Sequence, residues 1–228
     1  MAEMGLNVQQ QGDGNGSDST TRTAAGTRMG ELFTAEPGSL YNRWLRAGKV
    51  FQGQFATEGG TATIENNTAI DLTEPFLLLD VPSSKILVPL FVKIAPAVVW
   101  ETGDEIVVYT SDTLGFSAGG AAMDVRNMAA VSSLDSALGS TALTSAVDGD
   151  SVLTMAAATN VRLLDVHHHI TGNLAAPYIY NAINGQNPMV MIHGVGSFAV
   201  MCARTTTTVE VLYTVMWAEL DKSELVNS

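Results

Sequence analysis

The stretch "LLDVHHHITGN", Leu163 to Asn173, places three of the chain's four histidines side by side. Side chains alternate between faces on an extended strand, so Val161, Leu163, Asp165, His167 and His169 are predicted to share one face. Arg162, Leu164, Val166, His168 and Ile170 share the other. Two imidazoles at i and i+2 reach a common metal ion, and His193 is the one histidine left to complete a set. The same run is explained without a metal if the imidazoles lie on an exposed sheet face beside Asp165, or face their copies across a subunit contact. There they would make a contact that responds to pH, because histidine changes charge near neutrality.

The pair His167 and His169 resembles the His-x-His of the cupins, a jelly-roll enzyme class, and that resemblance implies a metalloenzyme with His193 as a further ligand. The departures are specific. Asn173 stands where a cupin has Glu, Val161 stands where it has Gly six residues before the first His, and His193 lacks the Pro and Gly frame of the second cupin motif. The run is therefore expected to be sheet surface, with no metal and no cofactor.

Other chemistry-bearing residues read as structure. Asp148 and Asp150 in "VDGDS" are expected in a turn. "GFSAGG", Gly115 to Gly120, lacks the Lys and the strand-loop-helix frame of a phosphate cradle and is expected to be a loop. "DGNGSD" lacks the sixth-position Gly and closing Glu of a calcium loop. Asn66-Asn67-Thr68 and Asn15-Gly16-Ser17 fit the glycosylation pattern but read as turns. Cys202, the only cysteine, sits in an apolar run without a base nearby and is expected in the core. Trp100, Tyr178 and Tyr180 could stack on sugar rings or close the ends of a sandwich. The ten methionines read as adaptable packing.

The elements that hold these residues follow from pattern. Residues 1 to 38 are rich in Gly, Ser, Thr, Gln and Asn, with too few apolar side chains to offset the entropy of ordering. They are expected to form an extended arm fixed by contacts with neighbouring chains. In "SLYNRWLRAGK", Ser39 is placed to cap one short helix, Gly48 to stop it, and Trp44 to anchor the arm to the body, with Arg43 and Arg46 available to a partner. From Lys49 the period becomes two, in about ten or eleven short segments separated by Gly, Pro, Asn, Asp or Ser. In the last, Val209, Val211, Tyr213, Val215 and Trp217 form a core face. Pro89 inside "KILVPLFVKI" predicts a bulge or an edge. Between residues 115 and 149 an Ala- and Ser-rich excursion, "AMDVRNMAAVSSLDSAL", is expected to hold a short helix. The fold expected for 39 to 228 is an all-β, two-sheet antiparallel sandwich, a jelly roll, which serves capsids, lectins and cupins alike.

Charge narrows the partners. Acids outnumber bases 23 to 11, and beyond Val50 the balance is 18 to 6. An acidic body repels phosphate backbones and anionic lipid, so neither nucleic acid nor membrane is expected as a partner. No basic n-region precedes an apolar core at the start, so no signal peptide is expected. Pro and charged residues break the apolar stretch from Phe76 to Trp100.

The texture of "GSFAVMCARTTTTVEVLYTVMWAEL" and "EPFLLLDVPSSKILVPLFVKI" resembles the single jelly-roll structural proteins of bacterial viruses, capsid and capsid-decorating subunits. That resemblance implies a virion protein without catalysis, a homo-oligomer and in particular a trimer, whose arm reaches onto neighbouring capsid subunits. A receptor- or glycan-binding spike domain is the alternative, and a cupin-like metalloenzyme at His167, His169 and His193 the third reading.

Overall fold

The computed structural model describes residues 37–55, 62–64, 70–97, 99–129, 135–138, 140–141, 144–148, 153–156, 159–170, 175–203 and 209–223. Residues 1–36 of the arm expected at 1 to 38, the calcium-like "DGNGSD", Asn15-Gly16-Ser17, Asn66-Asn67-Thr68, Asp150 and Asn173 lie outside these residues, and Pro37 and Gly38 open a helix. Helix α1 (Pro37–Arg46) starts two residues before the expected Ser39 cap, because Pro37 has its φ already set for a first turn and needs no donor there. It ends as the sequence implies. Gly48 takes a φ of 68°, with Lys49 N donating to Trp44 O and Gly48 N to Leu45 O, at 2.9 and 3.0 Å. These bonds satisfy carbonyls that the helix end would otherwise leave open.

Eight strands carry two antiparallel sheets: β1 (Val50–Phe55), β2 (Leu77–Val81), β3 (Lys85–Pro96), β4 (Glu105–Ser111), β5 (Arg162–His168), β6 (Tyr178–Asn181), β7 (Gly196–Ala203) and β8 (Val209–Asp221). The first sheet runs β6-β3-β8-β1 and the second β5-β4-β7-β2. Shorter strands extend them. Asp124–Asn127 lies beyond β1, Thr144–Asp148 and then Ala121–Ala122 lie beyond β2, and Ile192–His193 and Ala62–Ile64 pair with β3 and β8. The all-β, antiparallel expectation holds. Among the described residues no helix is long and apolar enough to cross a membrane.

Alternation builds three apolar layers. Leu77, Leu79 and Val81 from β2, Val92 and Ile94 from β3, Ile106 and Val108 from β4, Phe198 and Val200 from β7, and Val211, Tyr213, Val215 and Trp217 from β8 meet between the sheets. Outside the first sheet, Val50, Ile86, Val88, Leu90, Ala218 and Leu220 are covered by Tyr41, Trp44 and Leu45 of α1. Outside the second sheet, Leu78, Val107, Tyr109, Met201 and Ala203 pack with Leu153, Met155 and Phe116. Strands buried on both faces tolerate the nearly continuous apolar runs "LLLDV" and "KILVPLFVKI". Pro89 sits at a bulge: Met216 pairs with Phe91 and Trp217 with Pro89, so Leu90 is the extra residue. The proline's missing donor is accommodated there.

The excursion corrects three expectations. The Ala-rich segment read as a helix forms strands Ala121–Ala122 and Asp124–Asn127, the latter paired with β1; an open sheet edge outweighs the helix preference of alanine. "GFSAGG" contributes strand Phe116–Ala118, paired with Thr154–Met155. Asp148 ends strand Thr144–Asp148, opposite Leu77, and does not lie in a turn. The buried Asp80 carboxylate positions the start of this segment, accepting the backbone N–H groups of Gly115 and Phe116 at 2.8 Å each.

Candidate functional site

β5 and β6 are edge strands of opposite sheets, and the histidines lie where these edges meet. Relative to β4, β5 carries a bulge: Leu163 pairs with Tyr109 and Asp165 with Val108, leaving Leu164 as the extra residue. The bulge resets the alternation. Leu163 and Val166 share the outer face with Tyr109 and Val107, whereas Leu164, Asp165, His167 and His169 turn toward the inter-sheet core. This corrects the expected grouping of Leu163 with Asp165 and of Leu164 with Val166.

Inside the seam the contacts are specific. The hydroxyl of Tyr178 on β6 donates to Asp165 Oδ2 across the two sheets at 2.8 Å, and Asn187 Nδ2 donates to the same oxygen at 3.2 Å. His167 lies 5.7 Å from the Tyr178 ring and 4.5 Å from the His169 ring, centroid to centroid. His169 is 5% exposed, stacks on Trp100 at 5.1 Å with 18° between planes, and its Nε2 is buried without a hydrogen-bond partner. The backbone holds it there, its N–H on Asp104 O and its C=O accepting from Gly103 N, both at 2.8 Å. His168, on the opposite face, has Nδ1 at 2.9 Å from Glu105 Oε1.

Electrostatics follow burial. Desolvation first, then the neighbouring His167, holds His169 below the usual imidazole range, with Asp104 pulling the other way. Burial, reinforced by the bond to Asp165, pushes the Tyr178 phenol well up, and burial pushes Tyr180 up to about 12. Burial likewise raises the Cys202 thiol, which keeps it protonated and inert in the core, as its apolar surroundings implied.

The cupin-like set is not brought together. His193 is exposed and pairs with Ile86, whereas Tyr178, beside His167, pairs with Ile94 eight residues further along the same strand. That separation is on the order of 26 Å at the rise of a strand. Among the described residues no group of three His, Cys, Asp or Glu side chains is placed to hold a metal ion. The aromatic candidates are also withdrawn from the surface. Trp100, Tyr178 and Tyr180 are all buried, with Trp100 Nε1 donating to Ala176 O and Tyr180 OH to Pro188 O. They belong to the inter-sheet core and present no ring face to a sugar.

On α1, Trp44 is half-buried against the outer apolar layer, while Arg43 and Arg46 are exposed in the last turn. There their charges suit the negative end of the helix dipole. Sequence reasoning did not single out Asp165 or Asn187 as seam residues. The available signal was a carboxylate on the same strand face as two imidazoles in an otherwise apolar chain. No protein-family model, curated protein or solved structure matches this chain.

Proposed function

We propose that this chain is a non-catalytic structural subunit of a virion, a capsid or capsid-decorating protein with a jelly-roll body that works through contacts with copies of itself and with neighbouring shell subunits. The observation that carries the reading is the nesting of strand pairs. β1 pairs with β8, β2 with β7, β3 with β6, and β4 with β5. That nesting arises when one long antiparallel ribbon is wound about a barrel, and it supports the eight-stranded jelly roll, a fold used by capsids, lectins and cupins.

The site residues weigh among those three. A sugar-binding reading leaned on aromatic residues that are buried, and a cupin reading leaned on a histidine remote from the other two. The shell reading needs extended contact surfaces, and it is supported by exposed Leu163, Val166, Ile170 and Ile179 on and beside two adjoining strand edges. Symmetric homo-oligomers, trimers in particular, are the assembly this reading calls for. Removing residues 1 to 36 while keeping α1 tests it. The truncated chain should stay folded by circular dichroism but lose assembly in analytical ultracentrifugation and electron microscopy. Particles as numerous and as heat-stable as those of the full chain would overturn the role of the arm. A full-length chain that never self-associates would overturn the subunit reading itself.

A further inference from the structure

β5 offers an exposed strand edge. It is the last strand of the second sheet among the described residues, so its backbone groups on the side away from β4 face no strand there. Leu163 is 58% exposed and Val166 52% exposed, with Ile170 just beyond at 77%. Of the devices that blunt an edge, β5 carries a bulge and the charges of Arg162 and Asp165 but no Lys or Pro.

Antiparallel pairing puts opposed residues on the same face of a sheet, which limits how an edge can pair with itself. Because of the bulge, Leu163, Val166 and His168 face outward, while Arg162, Leu164, Asp165 and His167 face inward. With the two-fold axis between Leu164 and Asp165, every pair agrees in face. Leu163 meets Val166 of the second copy, Leu164 meets Asp165, and Arg162 meets His167. Moving the axis by half a residue sets Arg162 against His168, an inward side chain against an outward one. Moving it a full residue either way mismatches the pair nearest the axis: Leu163 against Leu164, or Asp165 against Val166.

The charges agree with the matched register. Arg162 is exposed, and among the described residues its ion pair is with Asp112 at 3.9 Å. Across the dyad it becomes the diagonal neighbour of Asp165 of the second copy, within reach of a long side chain. That diagonal approach offsets part of the acidic charge that elsewhere repels another copy.

We propose that two copies join through β5 in this register, continuing the second sheet across a two-fold axis and covering Leu163 and Val166. This rests on the self-association proposed above and names the surface that mediates it. In a shell built of rings, such a dyad joins one ring to the next.

The test is a double variant, Leu163→Cys with Val166→Cys, in the full chain. Opposed across the dyad, Cys at one position comes within disulfide range of Cys at the other position of the second copy, and only that pairing joins two chains. Native Cys202 is buried and does not compete. Mild oxidation should give a covalent dimer on non-reducing gels. Separately, Val166→Lys should lower the mass measured by light scattering and keep the circular dichroism of the folded chain, since the side chain is exposed. If the wild type self-associates but the double variant fails to cross-link and Val166→Lys leaves the mass unchanged, this edge is overturned and the shell reading stands. A wild type that is monomeric at every concentration overturns both.

Discussion

Asp80 and His169 are buried polar side chains of opposite consequence. The Asp80 carboxylate is fully buried, and burial raises its pKa despite two backbone N–H donors that lower it. In Asp80→Ala, those donors at Gly115 and Phe116 lose their acceptor. Each buried orphan costs about 1–3 kcal/mol, partly offset by no longer burying a carboxylate. The urea midpoint should fall, with Asp80→Asn intermediate because it keeps one acceptor. His169 has a folded-state pKa below its unfolded value of 6.5, so the unfolded chain takes up the proton first as pH falls. Its contribution is complete above about pH 6.5 and is lost on acidifying through that value toward the lower folded one. His169→Phe keeps the stack on Trp100, removes the unpartnered Nε2 and cannot protonate. Its melting temperature should therefore drop less than the wild type's between about pH 7.5 and 5.5. His167, Asp104 and His168, the charged or titratable groups that act on this position, are the same in both proteins, so the comparison isolates His169. An equal drop would mean that His169 carries none of the acid sensitivity.

At the scale of elements, α1 is a cover for the outer layer of the first sheet. Trp44→Ala removes the largest side chain of that cover while leaving the inter-sheet core intact. A fully buried aromatic would cost about 3–5 kcal/mol, and half-burial scales this to roughly 1–3 kcal/mol in chemical denaturation. A loss below about 0.5 kcal/mol, typical of a surface position, would mean the helix does not stabilise the sheet. The strands of the body were legible because period two is a local property: the core face of β8 from Val211 to Trp217 follows from alternation alone. The bulge at Leu164 was not legible, since the residues around it fit either parity and only pairing with β4 selects one. The excursion misled for a related reason. Alanine favours helix in isolation, but Asp124–Asn127 finds an unpaired edge of β1, a partner 70 to 76 residues earlier in sequence. The seam was half legible: the histidine run stood out, whereas its union with Trp100 and Tyr178 depends on two sheets closing on one another.

For the whole molecule, the formal charge of −12 at pH 7 sets the conditions under which copies meet. Like-charged bodies repel over about a Debye length, roughly 30 Å at 0.01 M salt and 8 Å at 0.15 M. Self-association should therefore strengthen as salt rises over that range, read as sedimentation-average mass. Association that weakens with salt would point instead to a contact dominated by opposite charges.

The order of strand pairing also bears on how the chain is made. β8, the final long strand, lies between β3 and β1 in the first sheet. Until the ribosome has released residues 209 to 221, those two earlier strands have no mate between them and their apolar faces stay open. The first sheet therefore cannot close before β8 has been made. A chain interrupted before β8 would be left with its most aggregation-prone edges exposed.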